Sequence, residues 1–353
     1  MRRSERRMLH FVVPGAIGQT TGGYIYDRRM VEGLRNLGWR VVVHELAGRF
    51  PDADAPARRA ARDALARIGA DRAVIDGLAL LAFDGSFDER ARRPIVALVH
   101  HPLARESGLD AARRRRFAAC EPRIWRRLAG VIATSGATRH EIVAAGVAAA
   151  RAIAVEPGVA RRPHLRPFRR HGIVILLAVG AIIPRKGHGL LLAALAGLRR
   201  RRWRLLCLGS EARDRAHAAR LRAAVRLRRL ARRVRFAGEA EPRLLERAYA
   251  SAHVFTLPSL HEGYGMAFAD ALAQGLPVVA TRAGALADLV PAAAGALVRP
   301  NDTRGLRRAL RRLLEAPHRR SRMRRGALAT ARRFSDWPDQ ARRFAGALDR
   351  LAP

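Results

Sequence analysis

Lysine is nearly absent from this chain: Lys186 stands alone among 68 basic residues in a sequence of 353. Cysteine is scarce too. Cys120 and Cys207 lie in different halves, which excludes a disulfide framework and suits a reducing cytoplasm. No apolar run is long enough to cross a bilayer, which takes about 20 residues; the longest, Ile173 to Ile183, falls well short. The run after the basic N-terminus, Met8 to Pro14, is too short for a secretory core and has no small-residue cleavage site. A cytoplasmic protein is expected, soluble or peripheral on the inner face of a membrane. His and Cys are not spaced for zinc, no G-x-S-x-G elbow occurs, and Asp52-Ala53-Asp54 lies in an Ala/Pro-rich stretch with no strand just before it. No metal site is expected.

What is plentiful is arginine, which carries the formal net charge to +38. Clustered cations are the footprint of phosphate binding. Here they spread over nearly every polar stretch, as a general surface composition does, so no specific nucleic-acid partner is expected. Runs such as Arg113-Arg114-Arg115-Arg116 and Arg199-Arg200-Arg201-Arg202 suit an anionic membrane surface, at roughly 1 kcal/mol per basic residue near the headgroups.

Hydrophobic residues make up 49% of the chain and charged ones 28%, the balance of a folded globular protein. At about 150 residues per domain the length allows two. Short β-branched runs alternate with amphipathic stretches, the pattern of parallel sheets built from βαβ units. Strands are expected at Leu9–Val13, Arg40–Glu45, Ala73–Asp76, Ile95–Val99, Val131–Thr134 and Ile153–Val155. The second half repeats the pattern at Ile173–Val179, Trp203–Leu208, Val234–Ala237, Val254–Leu257, Pro277–Ala280 and Ala296–Val298. The basic stretch from Ala160 to Gly172, with Pro163 and Pro167, reads as the linker. The expected fold class is therefore α/β: two Rossmann-like doubly wound parallel-sheet domains facing a cleft. Their expected bounds are 1–165, joined by a crossing helix at 338–351, and 172–335. Open sheets of this kind bind ligands beyond the carboxyl ends of their strands.

Loops after strands are accordingly where chemistry belongs. Val254–Leu257 is followed by Glu262 and then Gly263-Tyr264-Gly265, a glycine-flanked helix start whose open amides form an anion site suited to a diphosphate. Met266 opens that helix and Asp270 lies one turn along it. Alone, the two carboxylates read as a cap and a solvated helix residue. The loop after Ile173–Val179 brings Arg185 and Lys186 between a proline and a glycine, placed to neutralise charge on a departing nucleotide. In the first half, Gly22-Gly23 stands ahead of a helix at Tyr24–Leu37 and reads as a phosphate-type loop lacking the full G-x-G-x-x-G spacing or as a flexible turn, and His100-His101 ends the strand Ile95–Val99. His101 is the candidate for hydrogen bonding a sugar; His100 reads as a packed strand end.

Taken together and in order, these segments resemble the retaining glycosyltransferases of family 4, of GT-B fold, over nearly the whole chain. The resemblance rests on Gly22-Gly23, His101, Glu156-Pro157-Gly158-Val159, Pro184-Arg185-Lys186-Gly187, Val234 to Gly238, Leu257-Pro258-Ser259, Glu262 to Asp270, Gly275 to Ala280 and Gly284. The family's E-x7-E motif falls on Glu262 and Asp270, the second carboxylate one methylene shorter than usual. Many members carry an arginine where this chain has Ala181. The resemblance implies an enzyme that moves a hexose from a UDP- or GDP-hexose donor to a hydroxyl acceptor with retention, in cell-envelope or polysaccharide synthesis, with no cofactor required. It implies that Glu262 meets the hexose, Gly263, Tyr264, Gly265 and Met266 present amides to sugar and phosphate, and Asp270 holds the ribose. Lys186 and Arg185 would clamp the diphosphate, Gly238 would lie beside the base, Gly22 and Gly23 would border the diphosphate, and His101 would approach the transferred sugar.

Two other classes predict different behaviour. A non-enzymatic polyanion or membrane-surface binder would be indifferent to Glu262→Ala and strongly salt-dependent. A phosphorylase of the same fold would hold pyridoxal phosphate on the sole lysine and absorb visible light.

Overall fold

The computed structural model describes residues 7–87, 94–106, 108–160 and 172–353. Contacts divide the chain into two units, Met1–Gly158 with Ser335–Pro353, and Val159–Phe334. The expected linker lies, between its ends, outside the described residues.

In the first unit the strands are β1 (Met8–Pro14), β2 (Arg40–Leu46), β3 (Ala73–Asp76), β4 (Ile95–Val99), β5 (Gly130–Ala133) and β6 (Ala152–Ala154). They form one six-stranded sheet in the order β2-β1-β3-β4-β5-β6, parallel throughout. Strands covered on both faces need apolar residues at every position, not at alternate ones. β4, Ile-Val-Ala-Leu-Val, is buried along its whole length for that reason. The helices that bear on function are α1 (Gly22–Asn36) and α12 (Trp337–Leu351), which pack on each other. α12 starts at Asp336, whose carboxylate accepts from the Asp339 amide at 2.9 Å. It buries Ala341, Phe344, Ala345, Leu348 and Leu351 at helical spacing. Each large apolar side chain so buried contributes about 1.5–3 kcal/mol. Gly33 permits the close approach of α1: a Cβ there would lie 2.4 Å from that of Ala341.

The second unit has β7 (Val174–Val179), β8 (Trp203–Leu208), β9 (Val234–Phe236), β10 (Val254–Leu257), β11 (Val278–Thr281) and β12 (Gly295–Val298). Their order is β12-β11-β10-β7-β8-β9, again parallel. Every strand in both sheets lies within one residue of its expected bounds. The α/β class with two doubly wound parallel sheets therefore holds.

Topology decides where ligands bind. In the second sheet β7 pairs with β8 on one side and, through Val254↔Leu176 and Phe255↔Leu177, with β10 on the other. Successive connections leave β7 and β10 in opposite directions, which opens a crevice at their carboxyl ends. The loops 180–186 and 258–265 emerge there side by side. In the first sheet the reversal falls between β1 and β3, next to β4.

One expectation needs correcting. Gly22 and Gly23 are not a turn ahead of the helix but the first residues of α1, with Thr21 as its N-cap. Glycine's low helix propensity hid the true start. No helix among the described residues is long and apolar enough to cross a membrane.

Candidate active site

The second unit gathers the expected residues at its crevice. After β7 the chain makes a 3-10 turn, Pro184–Lys186, and enters α5 (His188–Ala196) through Gly187 in the left-handed region at φ 70°. Only glycine fits: a Cβ there would lie 2.0 Å from the Pro258 carbonyl oxygen. The Leu260 amide donates to the Arg185 carbonyl at 2.7 Å, which ties the two loops together.

Lys186 Nζ donates to both Glu262 oxygens, at 2.7 Å and 3.0 Å. Ser259 Oγ donates to Glu262 Oε1 at 2.6 Å, and Arg185 Nη1 lies 3.9 Å from Oε2 while donating to the His261 carbonyl at 2.9 Å. The side chains of Glu262, Arg185 and Lys186 are 7%, 12% and 16% exposed. Burial pushes the Glu262 carboxyl up; the charges of Lys186 and Arg185 and the hydrogen bonds from Lys186 and Ser259 more than reverse this, so it titrates below its ordinary range. Gly284, at φ 57°, lets a neighbouring loop cover Glu262: its Cβ would lie 2.1 Å from the Glu262 carbonyl, which accepts from the Ala285 amide at 3.0 Å.

Gly263, Tyr264 and Gly265 lead into α8 (Met266–Ala273), with Gly265 as a left-handed N-cap and no acidic residue in the first turn. Tyr264 is buried in the core, Met266 is half-buried against it, and Asp270 is half-buried on α8. Gly238 ends the β9 segment, and its carbonyl accepts from the Gly209 amide at 2.7 Å. The Lys186 ammonium, held by both oxygens of a buried carboxylate, is arranged as a cation.

In the first unit, His101 Nε2 lies 3.2 Å from Glu106 Oε2, on the loop after β4. His100, expected to be a packed strand end, is instead the centre of a polar cluster. Its Nε2 meets Asp27 Oδ1 at 3.1 Å and Asp76 Oδ2 at 3.2 Å, and Gly23 packs against its ring. Asp27 comes from α1 and Asp76 ends β3. Ligand atoms of the three lie within 4.8 Å of one another. Both carboxylates already meet the one imidazole nitrogen at hydrogen-bond distance, however, which is the geometry of an ion pair. The sequence did carry a signal: Asp27 falls on the buried stripe Tyr24, Asp27, Met30, Val31, Leu34 of α1, where a charge needs a partner.

The arginine runs have partners as well. Arg113 and Arg116 both engage Asp52, and Arg201 pairs with Glu315 at 2.6 Å. Asp54 caps α2 (Ala55–Ile68), accepting from the Ala57 amide at 3.0 Å.

Residues 173–316 match the family described as Glycosyl transferases group 1. An MMP alpha-(1->4)-mannosyltransferase of Mycolicibacterium hassiacum is 30% identical over 240 residues, 64% of this chain and 57% of that protein. A D-inositol 3-phosphate glycosyltransferase of a Nocardioides species is 40% identical over 110 residues, 31% of this chain and 24% of that one. The chain thus spans little over half the length of the first relative and a quarter of the second. Among solved structures, a sucrose-phosphate synthase from Thermosynechococcus elongatus superposes with a TM-score of 0.83 at 21% identity, covering 98% of this chain and 99% of that one. Anabaena HepE in complex with UDP and glucose gives 0.77 at 17% identity, with the same coverage. Residues 173–316 therefore match the glycosyl transferases group 1 family, in a chain whose two six-stranded parallel sheets have the GT-B fold.

Proposed function

We propose that this chain transfers a hexose from a nucleoside-diphosphate donor, UDP- or GDP-linked, to a hydroxyl acceptor with retention of anomeric configuration. One observation carries the reading: a buried Lys186–Glu262 pair, with Arg185 beside it, at the crevice of the unit that matches the glycosyl transferases group 1 family. Anabaena HepE, whose fold is shared, was solved with UDP and glucose.

In this reading Lys186 and Arg185 face the diphosphate, Glu262 takes hexose hydroxyls, and the amides of Gly263 to Met266 meet sugar and phosphate. Asp270 holds the ribose, Gly238 borders the base, Gly22 and Gly23 border the diphosphate and acceptor, and His101 approaches the transferred sugar. The leaving diphosphate takes the acceptor's proton. The protein contributes position and fixed charge, with the cations aimed where negative charge grows. A glycan precursor of the cell envelope, presented at the cytoplasmic face of a membrane, is the acceptor class that agrees with the basic surface.

Nucleoside diphosphate release, measured over a panel of UDP- and GDP-hexoses with envelope glycan precursors as acceptors, tests this. One pair is expected to turn over, and Lys186→Ala to lower kcat by about 10²–10³-fold, as loss of one charge-stabilising group does. Undiminished turnover by Lys186→Ala would overturn the assignment.

A further inference from the structure

The cluster around His100 has no part in the function proposed above. Asp27 is fully buried and Asp76 is 3% exposed. Two carboxylates in one dry pocket repel, and each needs a proton or a cation. Among the described residues the only positive partner at hydrogen-bond distance is the His100 Nε2, wedged between them at 3.1 Å and 3.2 Å. Asp76 also accepts from the Leu78 amide at 2.7 Å, whereas Asp27 Oδ2 has no partner among the described residues. Burial lowers the imidazole's proton affinity, but the two carboxylates raise it further, to a pKa of about 10. Asp27 is raised to about 7, by burial first and by Asp76 as well, against the opposing effect of His100.

The other groups packed on the ring change little. Tyr26 meets it edge-on with centroids 5.5 Å apart, and its hydroxyl donates to the Val155 carbonyl at 2.8 Å. Tyr26 is itself kept protonated by burial, by Asp27 and by Glu156. From α12 the rings of Trp337 and Phe344 reach that tyrosine.

A neutral imidazole bound through a protonated Nε2 would offer Nδ1 as an acceptor and possible base. An imidazolium offers Nδ1–H, a donor only. We propose that Asp27 and Asp76 are positioning residues that hold His100 as an imidazolium, so that Nδ1–H is a fixed donor for an anionic oxygen of the substrate. Nδ1 has no partner among the described residues, and the side chain keeps 18% exposure at the carboxyl end of β4. His100 is therefore a charged donor and not a general base. The anionic oxygen belongs to an acidic group on the acceptor, and this step rests on the transferase reading.

Nitrogen-15 NMR of the full chain, with His100 identified by His100→Gln, reads the protonation without any turnover. The ring is expected to stay doubly protonated to pH 8.5, and in Asp76→Asn or Asp27→Asn to titrate near pH 7 instead. Thermal melts confirm that each variant folds, and two independent variants guard against loss of one. Titration near pH 6.5 in the unmodified chain, or a stoichiometric divalent cation bound to the ring, would overturn the proposal.

Acceptor KM and UDP affinity, measured from pH 6 to 8.5, test the contact. A tenfold rise in acceptor KM above pH 7 in Asp76→Asn, with UDP affinity unchanged, is expected. An unchanged acceptor KM overturns the substrate role. Failure of the transferase reading is recognised separately, as absence of UDP or GDP binding while the NMR result stands.

Discussion

Breaking the Lys186–Glu262 pair from one side should cost far more than removing it altogether. The two side chains are only 16% and 7% exposed and meet at 2.7 Å, so solvent screening discounts little of their interaction. Taking away one partner of a buried pair costs about 3–5 kcal/mol, because the other charge stays uncompensated. For Lys186→Met the lower end, about 3 kcal/mol, is expected: Glu262 keeps its hydrogen bond from Ser259 and has Arg185 at 3.9 Å. Glu262→Leu should cost a similar amount by removing the carboxylate that offsets the neighbouring Lys186 and Arg185 charges. The double variant, apolar on both sides, should lose no more than about 2 kcal/mol, leaving a coupling energy of about 4 kcal/mol or more. Urea unfolding, followed by hydrogen exchange in β7 and β10, measures all three. The sign with pH is fixed too. The folded pKa of Glu262 lies below its ordinary 4.5, so its contribution is complete above that value and is lost as pH falls through the lowered one. A coupling energy under about 0.5 kcal/mol, the level of an exposed pair, would refute the reasoning.

Two other residues give sharp tests. His188 is 1% exposed with neither ring nitrogen partnered among the described residues, and burial with the nearby Lys186 lowers its pKa to about 3. Its stabilising effect is present above pH 6.5 and fades as pH falls toward 3, by about 1.4 kcal/mol per unit. His188→Leu should remove that acid slope with no loss at pH 7, as pH-dependent melting would show; a slope unchanged by the substitution contradicts it. Gly284→Ala must displace the Glu262 carbonyl, 2.1 Å from the added Cβ, and adopt a left-handed conformation that alone costs about 1–2 kcal/mol. It should weaken nucleotide-sugar binding at least tenfold. Gly346→Ala, on α12 with nothing within 4 Å, should leave binding intact and raise stability by about 0.5–1 kcal/mol.

The fold was legible because buried parallel strands leave few choices. A run such as Ile95–Val99 must be apolar throughout, and the turn residues around it mark its ends. Lys186 stood out because arginine fills every other basic position, and Glu262 because it follows a strand. Their contact was not legible: it depends on β7 and β10 being neighbours, which is a matter of sheet order and not of sequence separation. The His100 cluster was hidden for the same reason. Its members lie on α1, at the end of β3 and just past β4, and only the fold brings them within 3.2 Å. The glycines of α1 misled in a different way, since glycine at a helix start looks locally like a turn.

The central claim is that the crevice holding Lys186 and Glu262 binds a nucleoside-diphosphate sugar. The most direct measurement is calorimetric titration of the full chain with UDP- and GDP-hexoses, repeated on Lys186→Met and Glu262→Gln. The account predicts saturable one-to-one binding of one of these donors, weakened at least tenfold in each variant, with stabilisation of about 2.7 kcal/mol at 100 times the dissociation constant. Equal binding by all three proteins, or binding by none to any nucleotide sugar, would contradict it.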